Sequence, residues 1–213
     1  MSSFASLIVV AVLALVRVTA VALPTPLQQM AHTLASVHGY RTVVTSTSVT
    51  GKQQAVTTQT DTVFLRSGSA QTTYTVETVK IQSQELRIER VDTATRACVR
   101  QNSAAHWSCQ PVKAPKSAAD SSLKQLGVLK SQFQWSAAGT NTINGQPVVG
   151  YRAVNTSGAP LHSTATLWMA GKTHLPLELR STTSYSGKAG TTTLTEVVDW
   201  SQWNDPALTV PPV

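Results

Sequence analysis

The sequence predicts a mainly β (α+β) fold in which about ten or eleven antiparallel strands form one sheet. Threonine, valine and short runs of alternating polar and apolar residues fill the chain from Tyr40 onward, and these residues favour strands. Turn signals break the runs about every 10 residues, which is typical of an antiparallel meander. Two short stretches, one near the N-terminus and one in the middle, have the spacing of a helix.

The first 22 residues are predicted to be a signal peptide. Phe4 to Val16 is an apolar block of suitable length, and Ala20-Val21-Ala22 is a small-x-small cleavage pattern. Cleavage after Ala22 would leave residues 23–213 as a single exported domain. The leader lacks a basic start and carries Arg17 after the block, so an uncleaved anchor is the alternative, although the block is short for a span of about 20 residues.

Composition limits the classes of partner. The chain has 213 residues, of which 41% are hydrophobic and 13% charged, and this is enough material for a buried core. The formal net charge of +7 is spread along the chain. Such a charge favours solubility, or attraction to an anionic membrane surface. Because the chain has no Lys/Arg run and no basic helix, nucleic acid is not a predicted partner. We expect a monomer.

The predicted N-terminal helix is amphipathic. Its apolar residues recur at the spacing of one helix face: Leu27, Met30, Ala31, Leu34 and Val37. Pro26 suits the first turn, and Gly39 suits the C-terminal end. The apolar face must pack on the strands that follow.

Four predicted strands come next: RTVVTSTSV, QAVTTQTDTVFLRS, TTYTVETVKI and ELRIERV. A later set consists of QFQWSAAGTNTI, QPVVGYRAVNTS, LHSTATLWMA, THLPLELRSTTSY and TTTLTEVVDWSQW. Asn144-Gly145 is the strongest signal for a two-residue hairpin, and a second hairpin is expected around Gly171-Lys172. Between the two sets, residues 113–131 predict a loop and a short second helix with Leu123, Leu126 and Leu129 on one edge.

A sheet of this width cannot close as a small packed barrel. Eight strands close around an interior that side chains just fill, so ten or eleven must stay open, flatten or enclose space. Helices lying across the mouth would cover part of the concave side and leave a slot. Small Ala, Ser and Thr side chains could also pack there, and this alternative stays open.

Cys98 and Cys109 are placed symmetrically about Ser103-Ala104. A turn over Asn102 to Ala105 would pair the two cysteines directly and place Arg100 beside Trp107 on the same face. An exported protein favours a disulfide at such a pair, and the C-x-x-C spacing of a redox pair is absent.

The residues that could carry catalysis give little support to an enzyme. Ser121-Ser122-Leu123-Lys124 matches the S-x-x-K motif of serine hydrolases, but the motifs that accompany it are missing. The histidines have no metal-ligand spacing, so neither a metal nor a cofactor is predicted. Glu85 and Glu89 alternate with arginines on a strand, which predicts a solvated ladder of ion pairs.

The order of elements and two stretches, LWMAGKTHLPLELRS and TTTLTEVVDWSQWNDPALTVPP, resemble the LolA/LolB-like superfamily of periplasmic lipoprotein carriers, whose relatives include the LprG/LppX-type lipid-binding proteins. The matching positions are Leu167, Trp168, Thr173, Leu175, Pro176, Asp199, Trp200, Asn204, Asp205 and Pro206. Ala170 departs from the family, in which this turn is often acidic, and no arginine matches the latch-forming residue of the carriers.

The resemblance implies an open, half-closed antiparallel barrel with the two helices on its concave side and acyl chains of a lipoprotein or glycolipid in the cavity between them. The candidate lining combines apolar positions on strand faces with one from each helix: Leu34, Phe64, Val76, Leu86, Ile88, Leu126, Trp135, Leu167, Met169, Leu175, Leu177 and Leu179. Each of these residues could also be ordinary core.

The sequence thus predicts an exported, non-enzymatic carrier of lipid or of a lipidated protein, in a bacterial cell envelope or outside the cell. A protein-interaction or sensor module on the same fold is the alternative.

Overall fold

The computed structural model describes residues 25–51, 55–68, 70–81, 84–102, 104–112, 133–155, 161–187 and 190–213. The described residues form one helix, α1 (Thr25–Ser36), and eleven strands. The strands are β1 (Gly39–Thr50), β2 (Val56–Ser67), β3 (Ala70–Ile81), β4 (Gln84–Asp92), β5 (Arg96–Gln101), β6 (Ser108–Pro111), β7 (Phe133–Ile143), β8 (Gln146–Asn155), β9 (Leu161–Ala170), β10 (Pro176–Gly187) and β11 (Gly190–Ser201). The predicted short middle helix, with Leu126, lies outside the described residues.

All eleven strands belong to a single sheet in the order β6-β5-β4-β3-β2-β1-β11-β10-β9-β8-β7. Every neighbouring pair is antiparallel. The first and last strands of the chain, β1 and β11, meet in the middle of the sheet, and β6 and β7 form its two edges. The mainly β, open-barrel prediction is therefore confirmed.

The N-terminal helix forms where its apolar spacing predicts it. Met30 is 5% exposed and Val37, just beyond the helix, is 2% exposed. Gly39 does not end the helix, as the sequence suggested, because it is the first residue of β1. A Cβ on Gly39 would lie 3.0 Å from Leu65 Cδ2 and 3.1 Å from the Phe64 carbonyl oxygen, so a side chain here would have to displace its neighbours slightly.

Two side chains from distant parts of the chain hold the helix end against the sheet. The Arg66 guanidinium donates a 2.6 Å hydrogen bond to the Ala35 carbonyl oxygen, one of the free acceptors at the C-terminus of α1. Asn204 Oδ1 accepts hydrogen bonds from the backbone N–H groups of His38, at 2.7 Å, and Gly39, at 3.3 Å. Asn204 therefore joins the C-terminal tail to the junction between α1 and β1.

The predicted hairpins are present. Asn144 and Gly145 have φ angles of 50° and 76° and connect β7 to β8, as the Asn-Gly signal requires. Residues 171–175 connect β9 to β10, and the His174 N–H donates a 2.9 Å hydrogen bond to the Ala170 carbonyl oxygen. A bulge follows at the start of β10, between Pro176 and Glu178.

The two faces of the sheet have different surroundings. We call the side on which α1 packs the helix face and the other side the outer face. Helix residue Met30 forms a buried cluster with Leu167 and Met169 of β9. Partly buried side chains around this cluster come from the helix and from four strands: Leu34, Trp135, Tyr151, Leu179 and Trp200. Among the described residues, no helix is long and apolar enough to cross a membrane.

Candidate functional site

A row of aligned residues crosses the helix face from β7 to β4, one residue from each of nine adjacent strands. Strand pairing sets its order: Trp135, Ala153, Ala165, Ser181, Glu196, Ser46, Thr58, Val79 and Leu86. Large apolar side chains stand at the two ends, and small or polar ones fill the centre. We call this set the central row.

The side chains in the middle of the central row are small, so the low centre of the helix face is recessed relative to its two ends. Ala153 is 1% exposed, Ser46 is 7% exposed and Thr58 is 6% exposed. Leu194 and Val198, which flank Glu196 on the same face of β11, are also buried. The centre therefore combines buried aliphatic groups, hydroxyls and one carboxylate, an amphiphilic lining rather than a uniformly apolar one.

Three aromatic side chains, which we call the aromatic group, lie together at the end of the sheet where α1 joins β1. The rings of Tyr40 and Phe64 are stacked with centroids 4.7 Å apart, and the Trp203 ring lies 5.1 Å from Tyr40. Burial raises the pKa of Tyr40, and the positive charge of Arg66 acts in the opposite direction. Packed rings therefore fill the part of this end that lies next to α1.

The opposite end of the helix face exposes apolar side chains. Ile81 is 51% exposed, Leu86 is 40% exposed and Tyr185 is 49% exposed. Strand register places all three on the helix face, close to the hairpin ends of β3–β4 and β10–β11. We call these three residues the apolar rim.

The structure brings together some of the predicted lining residues and separates others. Those in or around the buried cluster under α1 are Leu34, Trp135, Leu167, Met169 and Leu179. Phe64 also lies on the helix face, but with the aromatic group, whereas Leu86 and Ile88 lie on the far half of that face.

Three other predicted lining residues lie neither in the buried cluster nor with the residues just described. Val76 pairs with Asp61 and Glu89 and lies on the outer face, because one residue of offset reverses the direction of a strand side chain. Leu177 occupies the bulge at the start of β10, and Leu175 precedes that strand. Val76 therefore leaves the candidate lining.

Glu196 is the charged member of the central row, and like the small residues beside it, it is absent from the predicted lining. It is half-buried, and its Oε2 accepts a hydrogen bond from the Ser46 hydroxyl at 3.4 Å. Burial raises the pKa of Glu196, and the Ser46 hydrogen bond acts in the opposite direction. The alternation in TTTLTEVVDW could have indicated the position, because Glu196 shares a face with Leu194 and Val198.

The outer face carries a buried charge cluster around Glu89, where a solvated ladder was predicted. The Glu89 side chain is 1% exposed and accepts hydrogen bonds from Tyr74 Oη at 2.7 Å, Arg100 at 2.7 Å and Arg87 at 3.2 Å. Burial acts to raise the pKa of Glu89, but these hydrogen bonds hold it at about 2. Glu85 does fit the ladder, since it is exposed and pairs with Lys80 at 3.3 Å.

The cysteine hairpin forms as the sequence predicts. Cys98 and Cys109 are directly opposed on β5 and β6 and form a disulfide. The Arg100 guanidinium lies 4.5 Å from the centre of the Trp107 ring. The hairpin thus ties the edge strand β6 to the strand that supplies Arg100 to Glu89.

A shallow groove on the outer face has a volume of about 570 Å³ and lies near the β7–β8 hairpin. Trp168 forms part of its wall, and a Cβ on Gly150 would come within 2.5 Å of the Trp168 ring. Glu178 and Arg180 stand at one side as a two-point ion pair with distances of 2.8 and 2.9 Å. None of the predicted lining residues borders this groove.

The described residues hold no group of three or more His, Cys, Asp or Glu side chains that could bind a metal ion. The S-x-x-K stretch, Ser121 to Lys124, lies outside the described residues, so its geometry is not known.

Comparisons with solved structures align this chain with proteins of low sequence identity. A LolA superfamily protein from Nitrosomonas europaea aligns with 91% of this chain and 96% of its own, at 10% identity and a TM-score of 0.33. An outer membrane lipoprotein-sorting protein domain from Vibrio parahaemolyticus aligns with 86% of this chain and 93% of its own, at 9% identity and a TM-score of 0.31.

A chain of the Pseudomonas aeruginosa MucA/MucB complex aligns with 87% of this chain at 14% identity and a TM-score of 0.45. The present chain spans 58% of that longer one. No protein-family model and no curated protein sequence matches the chain.

Proposed function

We propose that this chain is an exported, non-enzymatic binding or carrier protein that holds lipid acyl chains against the helix face. The observation that carries the proposal is the exposure of three large apolar side chains, Ile81, Leu86 and Tyr185, at the end of the helix face opposite the aromatic group. With 12 residues, α1 is about 18 Å long and about 10 Å wide. Eleven strands of about 10 residues make a face of about 50 by 33 Å.

By these dimensions, α1 spans about a tenth of the helix face. Ser46, Thr58, Leu194 and Val198 in the middle of that face are buried, and the exposed large apolar groups are those of the apolar rim. Exposed apolar surface costs about 25 cal/mol per Å². An acyl chain that reaches from the apolar rim toward the low centre of the face would remove such surface from water.

Transport of a lipid also requires a place where it can enter. The apolar rim stands at the end of the face opposite the aromatic group, with its residues spread over β3, β4 and β10. Exposed large apolar side chains along one end of a face favour contact with a membrane or a partner. The net charge of +7 would favour approach to an anionic membrane surface. We therefore assign lipid entry to the rim.

Two equally exposed residues on opposite faces give a matched test. Leu86 is 40% exposed on the helix face, and Val154 is 41% exposed on the outer face. The purified protein is titrated with an uncharged long-chain probe that fluoresces in apolar surroundings. Leu86→Gln is expected to weaken uptake about threefold to tenfold, as loss of apolar contact predicts, and Val154→Gln to leave it unchanged. Equal effects of the two variants, or no uptake by the unaltered protein, would contradict the proposal.

A second candidate is a protein-interaction module. The edge strand β7 has 11 residues, and its outer backbone edge could accept a strand from another protein. The glycine at position 139, with φ of 90°, lies at a bulge in this strand, and bulges limit such pairing. A membrane-protein partner retained after detergent has removed all lipid would favour this candidate over the carrier.

A further inference from the structure

The carboxylate of Glu196 stands in the middle of the face proposed to hold lipid. Glu196 belongs to β11, and in the central row it stands between Ser181 on β10 and Ser46 on β1. Along β11 it lies between buried Leu194 and Val198. An acyl chain alone makes no favourable contact with a carboxylate. The position of Glu196 therefore bears on the chemistry of the polar part of the ligand.

Glu196 differs from three of the carboxylates of the outer face in having no cationic partner. There, Glu89, Glu178 and Asp61 each form an ion pair with an arginine. Glu196 forms no ion pair with any basic side chain in the described part of the chain, and its recorded contact is the long hydrogen bond from Ser46. A half-buried carboxylate with so little compensation is stabilised by any donor that a ligand brings.

Other charged groups on the helix face are distant or paired. Glu77 lies three strands away, at about 14 Å. Arg90 and Asp92 of β4 are paired with each other, at 2.6 and 2.8 Å. The hydroxyls of Ser46, Ser181 and Thr58 can turn to accept or donate hydrogen bonds beside the carboxylate.

We infer that the ligand is a lipid whose polar part presents hydrogen-bond donors, an amine or hydroxyl group, to Glu196, and that lipids presenting a carboxylate there are rejected. This inference rests on the proposed lipid-binding function. A donor would form a charge-assisted hydrogen bond with Glu196, whereas a second carboxylate would meet a like charge without a cation to separate them.

The test compares a long-chain alkylamine, the alcohol and the fatty acid of equal chain length as competitors of an uncharged fluorescent lipid probe at neutral pH. The unaltered protein is expected to bind the amine and the alcohol about tenfold more tightly than the fatty acid, the ratio that one charge-assisted hydrogen bond supplies. Glu196→Gln should remove the preference for the amine and strengthen fatty-acid binding.

Two further variants separate a specific effect from a general one. Glu77→Gln removes the same charge from the same face at a distance and should keep the preference. Glu196→Asp keeps the charge and should keep the order of the three ligands.

Fatty-acid binding as tight as amine binding in the unaltered protein, or ratios unchanged in Glu196→Gln, would overturn the inference while the lipid-binding function stands. If none of the three competitors and no probe binds, the proposed function fails, and the inference fails with it.

Discussion

Glu89 is a fully buried carboxylate on the outer face, and its environment explains why it stays ionised. Burial alone favours the neutral acid, but Arg100, Tyr74 and Arg87 all donate hydrogen bonds to the two carboxylate oxygens. The result is a pKa of about 2. Such a group stabilises the fold at every pH above the ordinary glutamate pKa of about 4.3 and loses this effect as the pH falls toward 2.

We predict that Glu89→Gln lowers the free energy of unfolding by about 3 kcal/mol at pH 7, because Arg100 and Arg87 lose their counter-charge. The difference from the unaltered protein should shrink as the pH falls from 5 to 2, since protonation removes the same charge. Urea denaturation at several pH values measures this difference. Glu85→Gln, on the same strand but exposed, is the control and should cost little at any pH. A difference that is constant with pH would contradict the assignment.

Side-chain direction at single positions was only partly predictable from the sequence. The sequence predicts Phe64, Leu86 and Ile88 as lining residues, and strand register places their side chains on the helix face. Val76 was misplaced because the start of β3 could not be fixed to within one residue. The sequence predicts a solvated Glu89, but this side chain is buried. Its burial depends on Arg100 of the neighbouring strand β5, which no pattern around Glu89 in the sequence indicates.

The β5–β6 hairpin is an element that depends on its disulfide. The strand β6 has only four residues, all exposed, and it pairs with β5 alone. A cross-link that closes a loop with a sequence separation of 11 has an estimated stabilising effect of about 3 kcal/mol.

We predict that replacing both Cys98 and Cys109 by alanine lowers the free energy of unfolding by about 3 kcal/mol. Adding a thiol reductant to the unaltered protein should produce a similar loss, and it should have no effect on the double variant. Urea denaturation with and without reductant checks both expectations. A denaturation midpoint that is the same before and after reduction would show that the bridge contributes nothing.

Elements with local signals were predicted closely, and those that depend on tertiary contacts were not. The helical spacing of Met30 and Leu34 and the Asn144-Gly145 hairpin act within a few residues of sequence. Gly39, by contrast, was assigned to a helix end because its true constraint, the approach of Leu65 and Leu208, comes from distant residues.

At the scale of the whole molecule, the strand count and the single antiparallel sheet followed from composition and turn spacing. What the sequence could not show is the pairing of β1 with β11, which brings the first and last strands together at the centre of the sheet. That pairing creates the central row and places Glu196 beside Ser46, so the polar character of the candidate site became visible only in three dimensions.

The central claim is that the middle of the helix face has room for an acyl chain. Ser181→Phe adds a large side chain at the low centre of the row, where it should fill the space that the lipid would occupy without large loss of stability. The decisive measurement is the lipid content of the exported protein, purified without detergent, extracted with organic solvent and analysed by mass spectrometry. Our account predicts about one lipid per protein molecule in the unaltered chain and a several-fold loss in Ser181→Phe. A lipid-free extract from the unaltered protein, or equal lipid in the two proteins, would contradict it.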